Sequence, residues 1–177
     1  MKTLIAAALL LLTCVTAQAS SVQTILATKA SATSTTPAPT DFYGVQFTLQ
    51  LPVGITPRFD AQSTEPYTID PASIVMLDTS LLPASAVVSA NYHPSTSSTT
   101  GDTVMIALAN LNGVKFGTLG SIWFDFKPDF TLKYNTKTTL PKNATITLLG
   151  YQLFDQSGNE IPGSQARLSI SKNYVWY

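Results

Sequence analysis

One cysteine and one histidine stand among 177 residues, and only 11% of the chain is charged. Each scarcity excludes a kind of chemistry. Cys14 falls within the first nineteen residues, which have the form of a removable leader. The chain left after removal holds no disulfide, no thiolate nucleophile and no cysteine-based metal site. His93 cannot build a zinc site alone, since such sites take several nitrogen or sulfur ligands. Placed before Pro94 at the start of a Ser/Thr-rich loop, it reads as an exposed loop residue. No Gly-x-Ser-x-Gly occurs, so the hydrolase elbow is absent. Lys and Arg number ten, and so do Asp and Glu. Without a basic excess there is nothing to displace counterions from nucleic acid or to hold an anionic membrane.

Long apolar runs are also missing. The longest, Leu4–Leu12, is far short of the ~20 residues of a spanning helix, so the mature chain is expected to carry no integral membrane segment. With Met1-Lys2-Thr3 before it and Ala17-Gln18-Ala19 after it, this run reads as a secretory signal peptide over 1–19, cut before Ser20. The protein is then secreted, extracellular or periplasmic. A lipoprotein signal would instead be cut before Cys14. Thr13 stands where such signals carry Gly, Ala or Ser, so the Ala-Gln-Ala site is preferred. The mature 158 residues (177 less 19) fit one domain.

What the chain does have is Ser, Thr, Val, Ile and aromatics in short apolar runs broken by Pro, Gly, Asn and Asp. No segment shows a helical stripe. The pattern predicts an all-β fold, an antiparallel β-sandwich. Strands are expected at Val22–Thr28, Gly44–Leu51, Ser73–Leu77, Ala86–Tyr92, Thr103–Ala109, Leu119–Phe126, Thr145–Phe154 and Arg167–Ser171. Segment 20–41 reads as a first strand followed by a Pro/Ser/Thr linker (Ala30–Thr40), and 42–177 as the sandwich. In Gly44–Leu51, Val45, Phe47, Leu49 and Leu51 face one side and Gln46, Thr48 and Gln50 the other, giving one buried and one wet face. His93–Asp102 reads as the loop of a long hairpin. A bulge at Gly150 would turn Ile146, Leu148, Tyr151 and Leu153 all inward. Asp155-Gln156-Ser157-Gly158-Asn159 is a turn signal in which Gly158 supplies positive φ.

Two carboxylate pairs, Asp125 with Asp129 and Asp155 with Glu160, have the residue types a glycosidase needs. Both sit where acids cap turns or point outward, and the second loop is shorter and less acidic than a calcium-binding EF-hand loop. No residue is put forward as catalytic; no cofactor or metal is expected. The aromatics say more. In Ser121–Lys127, Ile122, Phe124 and Phe126 share one face, which leaves Trp123 on the other with Asp125 and Lys127. An exposed Trp serves as a platform for a sugar ring or an anchor for a protein, so Trp123 is the candidate ligand-binding residue. Tyr174-Val175-Trp176-Tyr177 poses the same question at the end of the chain. Ser169, Ser171 and Asn173 are too polar for the lipid-facing strand of a barrel. Asn143-Ala144-Thr145 fits a glycosylation acceptor, a triplet frequent by chance.

The succession GVQFTLQLPVGI (Gly44–Ile55), VVSANYH (Val87–His93), TVMIALANLNG (Thr103–Gly113), LGSIWFDFKP (Leu119–Pro128) and ATITLLGYQLFDQSGNEI (Ala144–Ile161) resembles the cohesin-like domains of secreted bacterial proteins. The resemblance covers roughly Phe42–Ser171. It implies a jelly-roll-like sandwich related to carbohydrate-binding modules. It also implies a non-enzymatic role on a flat sheet face, with a dockerin-like protein module or an extracellular polysaccharide as the partner. With one domain and no repeat, a lone adaptor or matrix protein fits better than a scaffold. The other expectation is a structural subunit of a surface filament or fimbria, in which Val22–Thr28 inserts into a neighbour's sheet by strand addition.

Overall fold

The computed structural model describes residues 21–59, 68–76, 86–97, 99–126 and 145–176. Residues 1–20 with Cys14, as well as Lys127, Asp129 and Asn143, lie outside them. Among the described residues nine strands form: β1 (Ser21–Ala30), β2 (Asp41–Gln50), β3 (Ile55–Pro57), β4 (Ile74–Met76), β5 (Ala86–His93), β6 (Thr103–Lys115), β7 (Thr118–Phe126), β8 (Thr147–Phe154) and β9 (Ala166–Trp176). The only helical element described is a 3-10 turn at Pro71–Ser73. Every pairing among these strands is antiparallel. The protein is an all-β sandwich of two sheets. Sheet A runs β3-β7-β1-β9, with β4 also on β7; sheet B runs β5-β6-β2-β8.

Alternation in the sequence sorts side chains between the layers. Val22, Leu26, Ile122, Phe124 and Leu168 of sheet A meet Val45, Phe47, Leu49, Ile106, Leu108 and Leu153 of sheet B in one buried core. The space left between Leu26, Ile122, Val45 and Ile106 is about 10 Å³, too small to hold a water comfortably. Burying such side chains is the main stabilising contribution, about 1.5–3 kcal/mol for each large one.

β1 is longer than its apolar signal and stands between β7 and β9, paired along both edges. The Pro/Ser/Thr segment after it carries the chain from sheet A to sheet B, so β1 is built into the sandwich. β9 also extends past the expected Ser171. A bulge opposite Ile25/Leu26 shifts its parity, which separates Asn173 from the two serines. Ser169 and Ser171 stay exposed, while Asn173 accepts a 2.9 Å hydrogen bond from the fully buried Thr24 hydroxyl.

The bulge expected in β8 is present. Thr48 pairs Gly150 and Leu49 pairs Leu148, so Leu149 is the extra residue and is pushed out to solvent. Ile146 and Leu153 are buried, and Leu148 and Tyr151 pack against the core. β5 and β6 form the expected hairpin, with His93 opposite Thr103. Its loop is held by Asp102, a buried carboxylate that accepts 3.0 Å hydrogen bonds from the Tyr92 hydroxyl and the Ser95 amide.

Candidate functional site

Trp123 is half-buried on the outer face of sheet A, opposite Gln23 on β1. The Arg58 guanidinium lies 5.6 Å from its ring centroid, and Arg58 Nε donates to Asp125 at 2.8 Å. The ring therefore has a cation over it, and Asp125, two residues along the same face, holds that cation in place. Its partner in the first suggested acid pair, Asp129, is outside the described residues.

Asp155 and Glu160 serve the loop. Asp155 Oδ1 accepts from the Ser157 and Asn159 amides, both at 2.8 Å, and Gly158 (φ 80°) closes the turn by donating to the Asp155 carbonyl. The Asn159 amide is the chief cause that holds the Asp155 carboxyl below the usual carboxylate range. Glu160 pairs with Phe154 across an isolated bridge and accepts from the Gln152 side chain at 3.0 Å. Both acids are thus engaged in holding the β8 end. On the two central strands, at the same end of sheet B, Lys115 lies 2.7 Å from Asp41. This lysine, with the Thr40 hydroxyl, lowers the Asp41 carboxyl. His93 is exposed at the end of β5. Among the described residues no group of three or more His, Cys, Asp or Glu is placed to hold a metal ion. No helix among them is long and apolar enough to cross a membrane.

A concavity lies on the other side of the molecule. Across the outer face of sheet B, the register sets Val87 (β5), Ala109 (β6), Gly44 (β2) and Phe154 (β8) in one row. The next row is Ser89, Ala107, Gln46 and Gln152. Small residues in the two central strands and larger ones at the margins hollow the sheet into a trough along β6 and β2. Tyr43, Leu111 and the Asp155–Gly158 turn close one end. Its volume is about 730 Å³, within the range of natural ligand sites.

Local backbone features shape this end. β2 and β6 slip register between Phe42 and Gly44, which gives Tyr43 no direct partner. Gly113, at φ 75°, lies so close that a Cβ there would be 3.2 Å from the Tyr43 ring. Leu111 projects from the loop-like end of β6 and is 81% exposed; Val87 is 67% exposed. Large exposed apolar side chains at the rim of a concavity are a general feature of interaction surfaces. The wet face of β6 could have signalled it: Ala107 and Ala109 occupy outward positions where Thr, Gln or Lys would be ordinary. Trp123 and the trough are on opposite faces of the sandwich, so they do not form one site.

No family model, no curated protein and no solved structure matches the chain.

Proposed function

We propose that this protein is a secreted, non-catalytic recognition module of cohesin-like, jelly-roll-like type, which binds a protein partner on the outer face of sheet B. The observation that carries the reading is the trough, where exposed Val87 and Leu111 flank a floor of Ala107, Ala109 and Gly44. Apolar walls beside the exposed Gln46 amide and Ser89 hydroxyl have the make-up of a protein-binding patch, an apolar centre with a polar margin. A polysaccharide face needs flat, accessible rings. The candidate for that, Trp123, lies on the other sheet beneath Arg58. A protein module of dockerin-like kind is therefore favoured over a polysaccharide.

The test is capture from the secreted fraction of the source organism by the immobilised mature chain, by Leu111→Asp and by Trp123→Ala. The expected result is one protein with a small module, retained by the wild type and Trp123→Ala and lost with Leu111→Asp. Equal capture by Leu111→Asp would remove the trough from the reading. Binding to insoluble polysaccharide that disappears in Trp123→Ala would replace it with sugar recognition on sheet A.

A further inference from the structure

An edge strand displays a row of unpaired amides and carbonyls, and proteins guard such rows with charge, proline, bulges, shortness or a covering segment. The other edges described here are guarded. β3 and β4 are three residues each, and β3 ends in Pro57. β9 carries Arg167 and Lys172 and a bulge. β8 has the Leu149 bulge, and the chain returns over its end through Phe154–Glu160 and a 2.7 Å bond from the Ile161 amide to the Leu153 carbonyl.

Among the described residues β5 shows none of these devices. Its eight residues, AVVSANYH, hold no Lys, Arg, Asp, Glu or Pro. Its register with β6 is unbroken from Ala86 to His93, so the strand is regular throughout. Among the described residues no strand pairs on its outer side. Val87 and Val88 remain 67% and 37% exposed. Tyr92 anchors the strand through the Asp102 bond and an edge-on contact with Phe59 at 5.0 Å, so the edge is held in place.

We infer that β5 is a self-association edge, which pairs antiparallel with β5 of a second copy about a twofold axis and joins two sheets B into one of eight strands. Two identical strands can meet this way only if they do not repel. β5 is uncharged apart from the terminal His93, so a second copy meets no like charge. The side-chain faces also agree. With the axis at Ser89, Val87 stands opposite Asn91 of the second copy on the outer face, and Val88 opposite Ala90 on the inner one. The centre is then Ser89 against Ser89, small enough for close approach. The arrangement is isologous and closes at two copies, because both chains use the same edge. It sets the two troughs side by side on one continuous face. The inference is independent of what occupies the trough.

The test is sedimentation velocity over a concentration series with wild type, Ser89→Lys and Ser89→Glu. Ser89 is exposed, so both variants keep the fold, which circular dichroism verifies. Wild type is expected to form dimers. Each variant alone is expected to raise the monomer–dimer midpoint ~10-fold or more, because like charges then face each other at the axis. An equimolar mixture of the two is expected to recover dimers containing both. Leu111→Asp should dimerise as wild type does, which separates this result from failure of the trough reading. A wild type that stays monomeric throughout, or a Ser89→Lys protein that dimerises as well as wild type, overturns the inference.

Discussion

The Arg58 guanidinium lies over the Trp123 ring, 5.6 Å from its centroid, and is held there by Asp125. The arrangement couples an aromatic surface to an ion pair whose partners are each about one third exposed, 34% and 35%. Pairs this wet contribute only about 0–1 kcal/mol, so their main effect is on what Trp123 presents to solvent.

Arg58→Ala should therefore leave stability nearly unchanged while it wets the indole. A red shift in tryptophan emission, absent from the double variant Arg58→Ala/Trp123→Phe, is the expected signature. Asp125→Asn should give part of the same shift by loosening Arg58. An unchanged emission spectrum would mean that the cation does not shield the ring.

Gly101 is a position that does not tolerate a side chain. A Cβ there would lie 1.7 Å from the Leu51 carbonyl oxygen, so backbone must move. The same crossing carries the 2.8 Å bond from the Leu51 amide to the Asp102 carbonyl, and Asp102 holds the β5–β6 loop. Gly101→Ala is expected to cost about 3 kcal/mol or more, at the upper end of overpacking effects. In a domain this size that lowers Tm by roughly 10 °C. Gly163→Ala, where a Cβ meets nothing within 4 Å, is the control expected to change little.

The Asp155 turn should respond to acid. Hydrogen bonds from the Asn159 amide and its neighbours favour the charged carboxylate, so folding lowers this pKa. Its contribution is complete above the ordinary carboxylate range and fades as pH falls through the lowered folded value. Carboxyl NMR should find Asp155 titrating below an unstructured Asp, with the Ser157 and Asn159 amide signals moving at the same midpoint. In Asp155→Ala those amides should exchange faster at neutral pH and lose the acid transition. An Asp155 midpoint in the ordinary range would contradict the hydrogen-bonded geometry of the turn.

The alternation of β2 and β7 made the sandwich legible, because burying Val45, Phe47 and Leu49 or Ile122 and Phe124 requires a covered face. Gly150 announced its bulge by the parity change around it, and Gly158 announced its turn. Other features depend on partners distant in the chain. Nothing local to Trp123 names Arg58, sixty-five positions earlier by the numbering, as its cover. The trough needs four strands in register before Val87, Ala109, Gly44 and Phe154 fall in line. Short β3 was invisible because three residues ending in proline carry no alternation.

Asn173 was read as one of three polar residues on a single face, and the bulge in β9 instead sends it towards the core. There its carbonyl oxygen accepts from Thr24, whose hydroxyl is fully buried. A polar pair in a buried layer stabilises only while both members are present; removing one leaves the other desolvated at a cost of about 1–3 kcal/mol. Thr24→Val keeps the shape and β-branching of the side chain and removes only the donor, so it should lower stability by that amount. Asn173→Leu should do likewise by stranding the hydroxyl. The double variant should lose less than the sum of the two, because neither polar group is then left behind. Denaturant unfolding of all four proteins yields that coupling directly. Strict additivity would show that the two side chains are satisfied separately, and that the bulge rather than the hydrogen bond fixes the β1–β9 register.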